Sequence, residues 1–125
     1  CAAVADFAPA SVADKKIKRT GDEMVIRLRP NPDIAASLGE IKTKRQTLVG
    51  FALETNDEES NAQAKLKKKN FDFIVLNSLQ DKGAGFKTDT NKISIISAGG
   101  KVDYPLKSKK DVAKDIVDKL REVLR

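Results

Sequence analysis

This sequence lacks histidine and tryptophan, and it has one cysteine among 125 residues. The absence of histidine excludes a catalytic triad with a histidine base, and a single cysteine cannot build a cysteine–histidine zinc site. One cysteine also excludes an intrachain disulfide, which fits a reducing compartment. Chemistry within this chain must therefore depend on lysine, acidic, amide and backbone groups.

The sequence also has no apolar run of membrane-spanning length and no basic leader before its opening Cys1–Ala5 segment. We therefore expect a cytoplasmic protein without a membrane partner. Its only methionine is Met24, and the chain opens on a strand-like apolar run. These features indicate a fragment of a longer protein.

Positive charge is in excess, with 24 Lys and Arg against 18 Asp and Glu, a net charge of +6. Such an excess indicates anionic partners, or only a soluble surface. Two local clusters, Lys15–Arg19 and Lys65–Lys69, favour a specific anion. The first lies in a polar stretch, residues 10–21, that predicts a mobile surface loop able to close over a phosphate.

The central stretch predicts a βαβ unit. Thr47–Leu53 and Phe71–Leu76 are apolar runs typical of parallel strands buried on both faces. Between them a polar helix has Asn56 as a plausible N-cap, acids in its first turn and lysines in its last. Ligands of parallel sheets bind beyond the carboxyl ends of the strands, here from Phe51 to Asn56 and from Asn77 onward.

The segments before this unit predict two more strands and a helix. Cys1–Ala5 reads as a buried strand with Asp6 at its carboxyl end, stopped by Pro9. Glu23–Arg29 alternates apolar and polar residues, which predicts a strand in a hairpin or a subunit interface. A helix is then predicted to run to about Gly39. Asn31 can cap it, Pro32 fits its first position and Asp33 favours its positive end. This helix start could bind phosphate, or it could be an ordinary helix start.

The segments after it predict a long loop from Asn77 to Asn91, a hairpin and a final helix. Strands Lys92–Ser97 and Lys101–Tyr104 join around Gly99-Gly100. The helix, residues 108–124, has an apolar stripe of Val112, Ile116, Leu120 and Leu124, reinforced by Val117 and Val123. Together these elements predict one α/β domain over residues 1–125 with an antiparallel edge.

Several motifs in order resemble phosphopantothenoylcysteine synthetase, also called phosphopantothenate–cysteine ligase. They are Ala2-Ala3-Val4-Ala5-Asp6-Phe7, Lys16-Ile17-Lys18-Arg19, Asn31-Pro32-Asp33-Ile34, Val49-Gly50-Phe51-Ala52-Leu53-Glu54-Thr55, Lys65-Leu66-Lys67-Lys68-Lys69-Asn70-Phe71-Asp72, Asn77, and Gly85-Phe86-Lys87-Thr88-Asp89-Thr90-Asn91. In bacteria this ligase is the C-terminal part of a bifunctional coenzyme A biosynthesis protein. The chain resembles its second half, so the N-terminal half of the ligase would be missing.

The resemblance implies a Rossmann-like three-layer fold with a mostly parallel central sheet and an antiparallel edge or dimerisation extension. It also implies an enzyme that joins 4′-phosphopantothenate to L-cysteine through an acyl-cytidylate, using CTP with Mg²⁺, as a homodimer. No metal ligand is assigned to the protein, and no FMN site is expected in this chain.

The resemblance further assigns site residues. Lys16 would be catalytic, covering the acyl-cytidylate and supporting the second half-reaction by its charge. The nucleotide would be bound by Cys1, Ala2, Ala3, Asp6, Lys16, Pro32, Asp33, Ile34, Ala35, Phe51, Lys65 and Lys69. Arg19 departs from the family, which usually has a lysine there. Two alternatives stay open: a basic nucleic-acid- or nucleotide-binding module without activity, for which aromatics are few, and a catalytically inactive α/β domain.

Overall fold

The computed structural model describes residues 4–54, 57–78 and 88–124. It divides the chain into two compact units, Cys1–Ile34 and Ala35–Arg125. The single domain expected from the sequence remains a prediction. The elements, in chain order, are β1 (Phe7–Pro9), β2 (Leu28–Pro30), α1 (Ile34–Ile41), β3 (Val49–Glu54), α2 (Glu58–Lys68), β4 (Phe73–Ser78), β5 (Thr90–Asn91), β6 (Ile93–Ser97), β7 (Gly100–Asp103), β8 (Lys107–Ser108) and α3 (Lys109–Val123).

The first unit is built on a short antiparallel pair, in which Phe7 lies opposite Pro30 and Pro9 opposite Leu28. This pair corrects the described part of the predicted opening strand, whose first three residues lie outside the described ranges. Val4 and Ala5 have irregular backbone and are exposed, and β1 begins at Phe7, after Asp6. Within the described residues, Leu28–Pro30 supplies the ladder that sets these bounds.

The alternating segment Glu23–Arg29 forms less strand than predicted. Its first five residues have irregular backbone, and the apolar Met24 and Ile26 are 64% and 62% exposed. The reason is again the length of the partner, since three residues of β1 can pair with only three of β2. An alternating pattern fixes which side chains share a face, but a ladder needs a neighbouring strand.

The second unit contains a four-stranded sheet in the order β3-β4-β6-β7. Strands β3 and β4 are parallel, with Val49 opposite Phe73 and Leu53 opposite Asn77, so the predicted βαβ unit is confirmed. The β4–β6 and β6–β7 pairs are antiparallel. The α/β class is confirmed, and the expectation of a mostly parallel sheet is corrected to a mixed one, because β6 returns beside β4 in the opposite direction.

Two apolar clusters lie on opposite faces of this sheet and give the three-layer arrangement. On one face, α2 packs through Ala62 and Leu66 against Ala52, Ile74 and Leu76. The other face is covered by α3; that cluster contains Phe73, Val75, Ile93, Ile95 and Val112, with Val49, Tyr104, Ile116 and Leu120 packed against it. Burial of such side chains, worth about 1.5–3 kcal/mol each, is the main source of stability here.

Burial on both faces is correct for β4 and wrong for β3. In β4, Phe73, Ile74, Val75 and Leu76 are all at most 3% exposed. In β3, Phe51 is 69% exposed and Leu53 is 41% exposed. The difference follows from position, because β4 has a strand on each side and β3 is an edge strand of the four-stranded sheet.

The C-terminal predictions are largely confirmed. Strands β6 and β7 form a tight hairpin in which Ser97 lies opposite Gly100, whose positive φ of 117° suits glycine. Helix α3 is capped by Ser108, whose Oγ accepts from the Asp111 N–H at 3.1 Å. Val112, Ile116 and Leu120 face the core as predicted, whereas Leu124 and Val117 are 61% and 53% exposed. The β5–β8 pair was not predicted.

The longest helix in the described ranges, α3, has 15 residues, and none of the described helices is long and apolar enough to cross a membrane.

Candidate functional site

In the first unit, the structure brings Asp6 together with the turn before α1. The Asn31 backbone N–H donates to the Asp6 carbonyl at 2.8 Å, and the Asn31 side-chain amide donates to the Ala5 carbonyl at 2.8 Å. Asn31 was predicted to cap the helix, and this is wrong because its amide is engaged with Ala5. These bonds hold Asp6 beside the residues that lead into Pro32 and Asp33.

Helix α1 begins at Ile34, so Asp33 takes the position before the first helical residue, and the predicted start is two residues early. Pro32, Asp33 and Ile34 are exposed and Ala35 is half-buried. The first turn of a helix carries a partial positive charge. The arrangement could face an anion or polar base edge, and it also suits an ordinary helix start.

Lys16 lies in the irregular stretch between the two strands of the first unit and is exposed, as are its neighbours Lys15, Lys18 and Arg19. The predicted surface loop is therefore confirmed within the first unit. The catalytic function of Lys16 remains a prediction. Cys1, Ala2 and Ala3, predicted to lie against the nucleotide, fall outside the described residues.

In the second unit, Phe51 presents an exposed aromatic ring on β3. Its strand neighbour Ala52 is buried against α2, so Phe51 lies on the opposite face of the sheet. Leu53 follows on the same face toward the carboxyl end of the strand. An exposed phenylalanine ring can stack on a base or cover another apolar surface.

Lys65 and Lys69 lie one helical turn apart at the C-terminal end of α2, as predicted. The Lys69 backbone N–H donates to the Lys65 carbonyl at 3.0 Å and closes the last turn. Since α2 covers the Ala52 face and Phe51 lies on the other, the described chain does not bring these lysines together with Phe51.

At the carboxyl end of β4, which the sequence predicts as part of the ligand-binding edge, two asparagines make a contact that was not predicted. The Asn91 amide nitrogen donates to the Asn77 side-chain oxygen at 2.6 Å, and both residues are half-buried. Asn77 lies directly opposite Leu53 of β3. An asparagine just after a buried strand is the available signal, but its partner fourteen residues later is not visible in a sequence pattern.

At the other end of the sheet, Asp72 makes polar contacts that were not predicted from the sequence. One carboxylate oxygen of Asp72 accepts from the Leu48 backbone N–H at 2.7 Å and from the Lys42 ammonium at 2.9 Å. Lys42 also donates to the Asn70 carbonyl at 2.7 Å. An adjoining cavity of about 310 Å³ is lined by Leu38, Ile41, Lys42, Gln46, Thr47 and Leu48.

The groups whose pKa values are shifted are not among these residues. A hydrogen bond from Ser94, then one from Lys101, lowers the pKa of Asp103, and the bond to Asp103 raises the pKa of Lys101. A hydrogen bond from the Ser108 hydroxyl, at 2.6 Å, lowers the pKa of Asp111. Within the described ranges, no group of three or more Asp, Glu or Cys side chains could hold a metal ion.

Comparison with protein families matches residues 1–124 to the family described as the DNA/pantothenate metabolism flavoprotein C-terminal domain. Among curated proteins, 120 residues are 60% identical to a cysteine/cysteine sulfinic acid decarboxylase of an unknown prokaryotic organism, covering 95% of this chain and 33% of that protein. Another 120-residue match, 46% identical, is the Coenzyme A biosynthesis bifunctional protein CoaBC of Bacillus subtilis (strain 168), covering 95% of this chain and 29% of that protein.

Among solved structures, the C-terminal domain of Coenzyme A biosynthesis bifunctional protein CoaBC superposes with a TM-score of 0.73 at 36% identity. The match covers 98% of this chain and 52% of that chain. The chain thus spans about a third of the curated relatives and about half of this solved domain.

Proposed function

Because this chain belongs to the family of DNA/pantothenate metabolism flavoprotein C-terminal domains, we propose that it forms part of a phosphopantothenate–cysteine ligase of coenzyme A biosynthesis. The observation that carries the proposal is the family match over residues 1–124. It is supported by similarity to bifunctional coenzyme A biosynthesis proteins along nearly the whole chain.

The reaction has two steps. The carboxylate of 4′-phosphopantothenate attacks the α-phosphate of CTP, which forms an acyl-cytidylate and releases pyrophosphate. The amine of L-cysteine then attacks the acyl carbon, CMP leaves, and an amide remains. Both steps transfer a group between charged reactants, so binding in the correct orientation and charge neutralisation supply most of the catalysis.

The residues that the resemblance assigns to the cytidine are kept in this proposal. Asp6 and the turn Pro32–Ala35 would bind the base or ribose, and the exposed ring of Phe51 would be available to stack on a base. Backbone groups of Cys1–Ala3 would complete this part. The fixed position of Asp6 next to the turn before α1, through its 2.8 Å bond from Asn31, supports this assignment.

The lysines would neutralise phosphate charge. Lys65 and Lys69 share one face of α2 and would hold the triphosphate, while Lys16 would cover the acyl-cytidylate. The separation of Phe51 from the two α2 lysines is consistent with a site completed by a second copy or by the N-terminal part of the ligase. We therefore include a homodimer and that missing part among the partners.

Mg²⁺ would supply charge neutralisation on the phosphate oxygens when bound with CTP. The described donor set offers no cluster of acids for the ion, so the triphosphate is the group proposed to hold it. Asp6 and the lysines would then orient the nucleotide around that ion.

The similarity to a decarboxylase does not change the proposal. That activity is named for a whole protein, and this chain matches only 33% of its length. The matched family is a C-terminal domain, and FMN is expected to bind outside this chain.

The test begins with calorimetric titration of the isolated chain with CTP and with ATP, both with Mg²⁺, at two salt concentrations. We expect CTP to bind more tightly, and Phe51→Ala to weaken CTP binding about 10-fold through lost stacking. The control is Val102→Ala, since Val102 is 50% exposed on the strand at the other side of the sheet. Equal, salt-sensitive binding of both nucleotides would instead support a generic basic module.

Activity is tested in a chimera in which this chain replaces the matching segment of the Bacillus subtilis relative. We expect CTP-dependent synthesis of phosphopantothenoylcysteine. Lys16→Ala should slow conversion of the acyl-cytidylate, with Lys18→Ala as a control in the same loop. A folded chimera that makes no product with CTP refutes the proposal.

A further inference from the structure

The asparagine pair at the carboxyl end of β4 presents a hydrogen-bond donor of fixed direction. The backbone N–H of Lys92 can only donate, and it reaches the Asn91 side-chain oxygen at 3.0 Å. The Asn91 amide nitrogen must therefore be the atom that faces Asn77, where it donates at 2.6 Å. This donation identifies the Asn77 atom it reaches as the carbonyl oxygen.

The consequence is that Asn77 has its NH₂ group on the side away from Asn91. On β4, Asn77 has Ile93 of β6 as one neighbour and Leu53 of β3 as the other. Lys92 alone separates Asn91 from the start of β6, so Asn91 approaches from the β6 side. The side of the planar carboxamide away from Asn91 therefore faces β3, where Leu53 and Phe51 share the same face and are 41% and 69% exposed.

This position is where ligands of such sheets bind, because the carboxyl ends of β3 and β4 meet there. The two N–H groups of a carboxamide held in one orientation recognise an acceptor atom and reject a donor. Among the described residues, the neighbours of Asn77 on the β3 side are the exposed apolar Leu53 and Phe51, so water competes less for its N–H groups there than at an open polar surface.

We propose that Asn77 donates a hydrogen bond to an acceptor oxygen of the bound substrate, and that Asn91 fixes the direction of this donor. The inference rests on the proposed ligase function and adds a recognition residue to that site. The acceptor oxygen can belong to the nucleotide or to the pantothenoyl chain, and separate KM measurements distinguish the two. Asn91 acts through Asn77 and is a positioning residue.

Asn77→Asp separates recognition from structure. Its carboxylate still accepts the Asn91 N–H, so the internal bond is kept, but an oxygen replaces the outward NH₂. We expect unchanged stability to urea and a rise of about 10- to 100-fold in KM for one substrate, measured in the chimera. A rise for CTP assigns the oxygen to the nucleotide, and a rise for 4′-phosphopantothenate assigns it to the acyl substrate.

Asn91→Asp tests the positioning role. It still accepts from Lys92, but it cannot donate to Asn77, whose amide must turn its NH₂ inward. The same KM should therefore rise without any change in a substrate contact. Ala98→Asp is the matched control, because it adds the same charge at the exposed hairpin turn beyond Ser97, at the other end of β4.

The outcomes are separable. If the parent chimera is active and Asn77→Asp leaves every KM within about twofold, the inference is wrong and the ligase function stands. If Asn77→Asp lowers the free energy of unfolding in urea as much as Asn77→Ala does, the role of Asn77 is structural and the inference is also wrong. A folded parent without CTP-dependent activity refutes the ligase function and the inference with it.

Discussion

The carboxylate of Asp72 provides a quantitative test of how the parallel pair is held. It joins the segment before β3 to the segment before β4 through bonds from Leu48 at 2.7 Å and Lys42 at 2.9 Å. The Lys42 and Asp72 side chains are 12% and 27% exposed. A hydrogen bond to a charged group contributes about 1.5–3 kcal/mol, and partial exposure reduces this.

Asp72→Ala removes the acceptor of the Leu48 N–H and the charged partner of Lys42, which keeps its bond to the Asn70 carbonyl. We therefore expect the free energy of unfolding to fall by about 2–4 kcal/mol. Asp72→Asn keeps an acceptor for Leu48 and loses the charge, which should cost about 1–2 kcal/mol. Lys42→Met keeps the methylene packing and leaves Asp72 bonded to Leu48, so its cost should be similar. Of the three variants, Asp72→Ala should therefore lower the free energy of unfolding most.

The assay is urea denaturation of the chain followed by circular dichroism, since the sequence has no tryptophan for fluorescence. For a slope typical of small proteins, the midpoint of Asp72→Ala should fall by roughly 1–2 M. Asp118→Ala is the control, because that carboxylate is 68% exposed and pairs with Arg121 at 3.5 Å. Its effect should stay within about 0.5 kcal/mol. The reasoning fails if Asp72→Ala costs no more than Asp118→Ala.

Three further predictions concern the same unit. Gly39→Ala should destabilise by about 2 kcal/mol or more, although alanine usually favours a helix, because its Cβ would overlap the Lys69 backbone carbonyl; thermal unfolding checks the sign. Ser108→Ala should cost about 1 kcal/mol in urea denaturation through loss of the α3 cap. Asp103 and Asp111 have lowered pKa values in the folded state, so their stabilising effect is present above the ordinary value of 3.8 and disappears as pH falls through the lower folded value. Asp103→Asn should therefore lose more stability at neutral pH than in acid, and an equal loss at both would contradict the assignment.

Sequence patterns predicted the elements that carry their own signals. The apolar run of β4 is long enough to indicate a strand buried on both sides, and Phe73–Leu76 are buried. The start of α3 has a local signal in the sequence, because Ser108 and Asp111 have the spacing of a helix cap. These features depend on residues close in the chain, so a sequence contains most of the information that sets them.

The misplaced features depend on partners distant in the chain. Phe51 has the composition of a buried strand residue, but its exposure is set by the sheet order, which leaves β3 at an edge. Asn31 has the residue type of a cap, and its amide bonds instead to Ala5, 26 residues earlier.

The candidate site was predictable only in part for the same reason. The resemblance supplied Asp6 and the turn through Ile34, and the structure brings them together in the first unit. The Asn77–Asn91 bond could not be read from the sequence, because asparagine is as common in turns as in sites. The Phe51–lysine separation likewise depends on which helix covers which face.

The two edges of the four-stranded sheet differ in how they tolerate a neighbour. On β7, Lys101 pairs with Asp103 at 3.2 Å and with Glu59 of α2 at 3.6 Å. Charged side chains on an edge strand discourage another chain from adding to its free backbone groups. Residues 49–53 of β3 have no charge. Growth of the sheet is therefore directional, and we expect a strand that extends it, in assembly or in aggregation, to join at β3.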